Sequence, residues 1–294
     1  KNRIPVSDSQ PFLNAEVDMT FFRGFLGAVL CSWLLAMPAV ASAGVYDSYG
    51  QLLADHLVEK NLENDGLVTA FRYQAALDDP KTKKRLAQQR QQLADFDPAS
   101  LDGREQSIAF WINAYNFFML EQILTKRPDG ELVESVWDYG GRLNPFVDSV
   151  FDQDNFTVGG RQYSLNEFEK EILLGEEYRA KGWKDARVHF AVNCASVGCP
   201  PLRKQLYTAG NLEALLAENT RRAFNTDRHL KMDGDTVYVT ELFKWYEQDF
   251  TEAAGSGKAF IREWADASVA DRVAGASDLK YIDYDWTLNR PGNF

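Results

Sequence analysis

Residues 110–118 read Phe-Trp-Ile-Asn-Ala-Tyr-Asn-Phe-Phe, a stretch that is apolar around nearly the whole circumference of a helix. A helix with no polar stripe must lie inside the fold, because it has no face to turn to water. Asp102, with Glu105 three residues later, supplies a capping-box start, and the pattern predicts a helix to about Thr125 that Pro128 ends. Burial makes Asn113 and Asn116 expensive, since an amide left unpaired costs about 1 to 3 kcal/mol. Their three-residue spacing puts both on one face, where each is expected to bond a neighbouring loop, another side chain or a ligand.

The chain has 294 residues, 45% of them hydrophobic and 26% charged, enough to bury a core around that helix without relying on disulfides. Lys and Arg number 32 against 43 Asp and Glu; a net charge of −11 repels phosphate backbones, so nucleic acid is not an expected partner. Helical periodicity is expected at Tyr49 to Leu57, Lys81 to Phe96, Asn211 to Phe224, Leu242 to Phe250 and Lys258 to Val273. Gly66 to Tyr73 and Arg187 to Asn193 read as extended, and Leu279 to Trp286 as a closing strand. Phe156 to Tyr163 and His229 to Val239 read as hairpins turning at Gly159-Gly160 and Asp233-Gly234. Ser164 and Glu167 form a second capping box, opening a helix to Leu174. The elements do not alternate as βαβ units, which predicts an α+β fold: a single domain with a mostly antiparallel sheet flanked by helices.

From Met19 a basic start at Arg23 precedes an uncharged apolar run from Phe25 to Met37, then Pro38 and Ala41-Ser42-Ala43. That layout predicts a signal peptide at 19–43 cleaved after Ala43, with residues 1–18 lying upstream of the natural start. The expected domain is then 44–294, periplasmic or secreted, with no stable membrane insertion after cleavage. It keeps two cysteines, Cys194 and Cys199, in a compartment that permits disulfides.

Both fall in His189-Phe-Ala-Val-Asn-Cys194-Ala-Ser-Val-Gly-Cys199-Pro-Pro201. A thiolate there would be a competent nucleophile, with backbone N–H groups nearby to hold an oxyanion. If the stretch before Cys194 is a regular strand, His189 stands roughly 16 Å from it, too far to act as its direct base. Gly198 allows a turn that could bring Cys199 back towards His189, or close a Cys194–Cys199 disulfide. A third reading makes His189, Cys194, Cys199 and a carboxylate such as Glu169 a zinc site, although Cys-x4-Cys with one nearby His has no clear fourth ligand. Glu169, on the helix after Ser164, could orient an imidazole or bind a ligand amine if its face is buried. The aromatic stretch Leu242 to Phe250 reads as core packing, with Tyr246 or Asp249 as candidates for a cleft rim, and His56 and His229, without chemical neighbours in sequence, are expected at surface or strand-edge positions. No cofactor motif is present.

Taken in order, Trp111-Ile-Asn113-Ala-Tyr115-Asn116, Tyr163-Ser-Leu-Asn-Glu-Phe-Glu169, the His189 to Pro201 stretch and Phe243-Lys-Trp245-Tyr246-Glu-Gln-Asp249-Phe250 resemble the domain-of-unknown-function 547 family. The resemblance spans roughly residues 100–250 and includes exported bacterial proteins. It marks Asn113, Asn116, Glu169, His189, Cys194 and Cys199 as family-typical, without roles. Relatives commonly carry His where this chain has Lys170. The leading expectation is a thiol-dependent hydrolase or transferase acting on an amide, ester or thioester, with Cys194 as nucleophile, His189 as base and Glu169 as its partner. Asn113, Asn116 and Cys199 would contact the ligand. The alternative is a non-catalytic binding or interaction module for a small molecule or peptide, its loop stapled by Cys194–Cys199.

Overall fold

The computed structural model describes residues 44–141 and 149–293; the expected signal peptide at 19–43 lies outside them. Helices α1 (Asp47–His56), α2 (Tyr73–Asp78) and α3 (Pro80–Asp95) pack on one another, and the antiparallel hairpin of β1 (Leu57–Asn61) and β2 (Leu67–Phe71) connects α1 to α2. Asp79 caps α3 by accepting from the Lys81 N–H at 2.9 Å, and Pro80 at the first helical position has no N–H to leave unpaired. Helix α4 (Gly103–Thr125) follows, buried continuously from Ser107 to Leu124 as its composition requires. Its N-terminus departs from expectation. The Asp102 side chain makes no cap; instead Gln106 Oε1 accepts from the Asp102 N–H at 2.7 Å.

After the hairpin of β3 (Phe156–Val158) and β4 (Arg161–Tyr163), Ser164 Oγ accepts from the Glu167 N–H at 3.1 Å. The helix that follows, Glu167–Leu173, is π-wound rather than α, with the Leu174 N–H reaching back to the Glu169 carbonyl at 3.0 Å. Such wider turns displace a side chain from the regular helical spacing and recur at functional sites. Helices α5 (Glu176–Ala180) and α6 (Leu212–Phe224) are separated by the segment that carries the cysteines.

Strands β5 (Leu230–Asp233) and β6 (Thr236–Thr240) form the second expected hairpin. Helices α7 (Leu242–Trp245), α8 (Glu247–Ala254), α9 (Gly257–Trp264) and α10 (Ala267–Gly275) follow, and β7 (Asp278–Ile282) closes the sheet. The expected helices at 242–250 and 258–273 are each broken in two. Strand β7 pairs with β6 in parallel, so this three-stranded sheet is mixed.

The α+β class holds, with a correction to the sheet. Among the described residues, strands form three small sheets of two, two and three strands, and helices make up most of the structure. One apolar cluster surrounds α4, where Phe110, Phe118 and Phe168 are fully buried; a second gathers Phe190, Phe224, Phe243, Phe250 and Phe260. Arg187 to Asn193 is not a strand. Residues Ala186–Phe190 form a 3₁₀-helix that Asp185 caps, and its apolar run is buried by packing between the two clusters rather than by sheet pairing. Among the described residues no helix is long and apolar enough to cross a membrane.

Candidate functional site

The π-turn and the 3₁₀-helix present Glu169 and His189 to each other from different directions. His189 Nδ1 lies 3.6 Å from Glu169 Oε1, an ion-pair separation too long for a hydrogen bond. On its other edge Nε2 lies 2.8 Å from Asp249 Oδ2. The break between α7 and α8 falls at Tyr246, whose ring stacks on the imidazole with centroids 3.8 Å apart. Burial alone would discharge this histidine, but the Asp249 bond and the Glu169 charge outweigh it, and its pKa is raised above the ordinary 6.5. Asp249 is disfavoured as an anion by burial, yet His189 and the Lys184 ammonium at 2.5 Å hold its carboxyl below the usual range. Burial, reinforced by the Glu169 charge, keeps the Tyr115 and Tyr246 phenols protonated far above their ordinary range.

A cavity of about 420 Å³ opens beside this group. Glu169, His189, Tyr115 and Tyr246 supply its polar floor, and Trp137, Phe151, Trp245 and Trp286 its aromatic wall. The wall is continuous: Trp286 packs on Trp137 at 5.0 Å, Trp245 at 5.6 Å and Tyr284 at 4.5 Å. Exposed Lys170 stands at the margin.

Cys194 and Cys199 also line the cavity, joined as a disulfide with Cα atoms 6.2 Å apart. In this state Cys194 has no free thiol, and the zinc alternative has no thiolate to offer a metal. Among the described residues, the carboxylate and imidazole group with metal-like spacing is Asp55, His56 and Asp79, elsewhere in the fold. There Arg85 already pairs with Asp55 at 2.7 Å and lies 3.7 Å from Asp79.

Asn113 and Asn116 do not line the cavity; each clamps a length of backbone. Asn113 donates to the Tyr207 carbonyl at 2.7 Å and accepts from the Tyr207 N–H at 3.2 Å. Asn116 donates to the Ala191 carbonyl at 2.9 Å and accepts from the Asn193 N–H at 2.8 Å. The helix that had to be buried thus uses its two amides to fix the backbone on either side of the cysteine loop, Asn116 before it and Asn113 after it. His56 and His229, expected at surface or strand-edge positions, each directly precede a strand, β1 and β5, and both are buried. Burial drives the His229 pKa down to about 3, helped by the Arg228 charge.

Sequence reasoning missed Tyr115, Lys184, Ser196 and Tyr284. Tyr115 lay inside the most apolar motif, where an aromatic reads as core. Tyr284 lies just beyond β7, and no local pattern marks it. Its hydroxyl sits 3.2 Å from the sulfur of each cysteine, and Ser196 Oγ lies 3.0 Å from Cys194 Sγ and 3.3 Å from Cys199 Sγ.

Residues 98–223 match the model of a family described as "Protein of unknown function, DUF547". The matched segment contains the asparagines, Glu169, His189 and both cysteines, whereas Tyr246, Asp249 and Tyr284 come from beyond it. No curated protein and no solved structure matches the chain.

Proposed function

From the premise that residues 98–223 belong to the DUF547 family, we propose that the chain is an exported, non-catalytic binding module for a small molecule or a peptide segment. The observation that carries this reading is the cavity, where one wall of indole and phenol rings faces a floor of buried polar groups. Such a surface suits a ligand with a flat or apolar face to stack and a polar group to reach inward. Nδ1 of His189 is buried without a hydrogen-bond partner, so the floor keeps a polar atom that a ligand can satisfy. The thiol-dependent hydrolase or transferase is less well supported, because the sulfur it needs is bonded to Cys199.

Localisation belongs to the same proposal. A disulfide suits an oxidising compartment, in line with the leader read at 19–43 and a periplasmic or secreted protein. The proposed domain runs from 44 to 294, beyond the family match at both ends. Tyr46 donates to the Phe110 carbonyl at 2.8 Å, and Tyr284 reaches the cysteines.

Tryptophan fluorescence tests the binding reading, with N-acetyltyrosinamide and N-acetylglucosamine as probes. A saturable change with either, weakened in Glu169→Gln and lost in Trp245→Ala, is the expected result. A response that never saturates and is the same in wild type and Trp245→Ala would overturn it.

A further inference from the structure

The Cys194–Cys199 disulfide lines an open cavity, yet the loop it closes is already held without it. Asn193 accepts from the Ala195 N–H at 3.0 Å and donates to the Pro200 carbonyl at 2.8 Å, spanning the loop from within. The C-terminal segment then pairs along its back: Val197 donates to the Thr287 carbonyl and Gly198 to the Asp285 carbonyl, both at 2.8 Å, and Asn289 donates to Ala195 at 2.9 Å. With so short a closed loop and so many other ties, a covalent staple adds little to the fold.

Three donors converge on the sulfurs instead. Cys199 Sγ receives the Cys194 N–H at 2.9 Å, a donor it has to itself, and shares two hydroxyls with Cys194 Sγ: Tyr284 at 3.2 Å from each sulfur, and Ser196 at 3.3 Å from Cys199 and 3.0 Å from Cys194. A disulfide sulfur is a weak acceptor, whereas a thiolate is a strong one, so these contacts strengthen when the bond opens. Exposure is unequal as well: Cys199 is buried, and Cys194 is partly open. Exposure therefore directs attack at Cys194, with Cys199 as the leaving sulfur, held by the Cys194 N–H and the shared hydroxyls.

We propose that Cys194–Cys199 is an exchangeable disulfide that oxidises external thiols entering the cavity. This goes beyond the binding reading and requires no bound ligand. A thiolate attacks Cys194 Sγ, forming a mixed disulfide; the Cys194–Cys199 bond breaks and its electron pair goes to Cys199. A second thiolate attacks the external sulfur of the mixed disulfide, forming an external disulfide and releasing Cys194. Two thiols are oxidised, the protein disulfide is reduced, and the two protons from the thiols pass to Cys194 and Cys199.

The test uses the oxidised full chain in millimolar reduced glutathione, quenched with acid, alkylated and weighed intact. Reduction under native conditions with unchanged far-ultraviolet circular dichroism is expected. Tyr284→Phe is expected to slow it about tenfold, the loss of one bond to the leaving thiolate. With oxidised glutathione, Cys199→Ala should trap an adduct on Cys194 at least about tenfold faster than Cys194→Ala traps one on Cys199. A wild-type disulfide that opens only in denaturant would overturn the proposal, as would a Tyr284→Phe rate equal to wild type or preferential modification of Cys199.

Discussion

Nε2 of His189 lies 2.8 Å from Oδ2 of Asp249, a contact between a 3₁₀-helix in the cysteine segment and a helix 60 residues further on. The carboxylate fixes which edge of the imidazole faces inward, leaving Nδ1 towards Glu169. Because its folded pKa is raised, protonated His189 contributes stability in full below its unfolded value of 6.5, and that contribution is lost as pH rises through the folded pKa. Asp249→Asn removes the hydrogen-bonded charge and lets burial dominate. The ring's titration, followed by NMR at its carbon-bound protons, should move from above 6.5 in wild type to below it in the variant. An unchanged titration would show that Asp249 does not set the charge of His189.

His229 has the opposite sign. With a folded pKa of about 3, it is neutral throughout the ordinary pH range, and its contribution is fully present above the unfolded value of 6.5. As pH falls from 6.5 towards 3 the unfolded chain takes up the proton first, so stability drains away. Urea unfolding at pH 7.5 and 5 should show a larger acid loss for wild type than for His229→Asn. Equal losses would exclude His229 as a source of acid sensitivity.

Asn116→Ala should destabilise the protein by about 2 to 4 kcal/mol, because it strands the Ala191 carbonyl and the Asn193 N–H in the interior. The urea midpoint would fall without a change in slope. A loss below about 1 kcal/mol would mean that the segment finds other partners.

The asparagines show how much of this site was legible in the sequence. An amide on an all-apolar helix has to find a buried partner, and Asn113 and Asn116 each found two backbone groups. His189 was misplaced because Val188, Phe190 and Val192 read as strand residues, a preference that reflects packing on a half-buried surface as much as backbone geometry. Here the same residues are buried between two apolar clusters, and the roughly 16 Å separation inferred from an extended chain does not apply. Asp249 read as part of a core-packing helix or at most at a rim, and Tyr284 was not placed at all. Both reach the site through long-range contacts, 60 and 90 residues from His189 and Cys194, that no local spacing encodes.

Gly198 separates two ways in which a glycine can be required. A Cβ there would stand 3.0 Å from both N and O of Asp285, so alanine has to push the C-terminal segment off the cysteine loop. Gly160, in the β3–β4 turn, has open space around it but a φ of +75°, so alanine there strains only the backbone. Both substitutions should cost about 1 to 3 kcal/mol, Gly198→Ala through overpacking and Gly160→Ala through the left-handed backbone. Hydrogen exchange distinguishes them. Gly198→Ala should accelerate exchange at the Val197 and residue-198 N–H groups that pair with Thr287 and Asp285, whereas Gly160→Ala should leave both protected. Unchanged protection in Gly198→Ala would mean that the loop and the C-terminal segment accommodate the methyl together, and that this close approach does not hold the disulfide in place beside Tyr284.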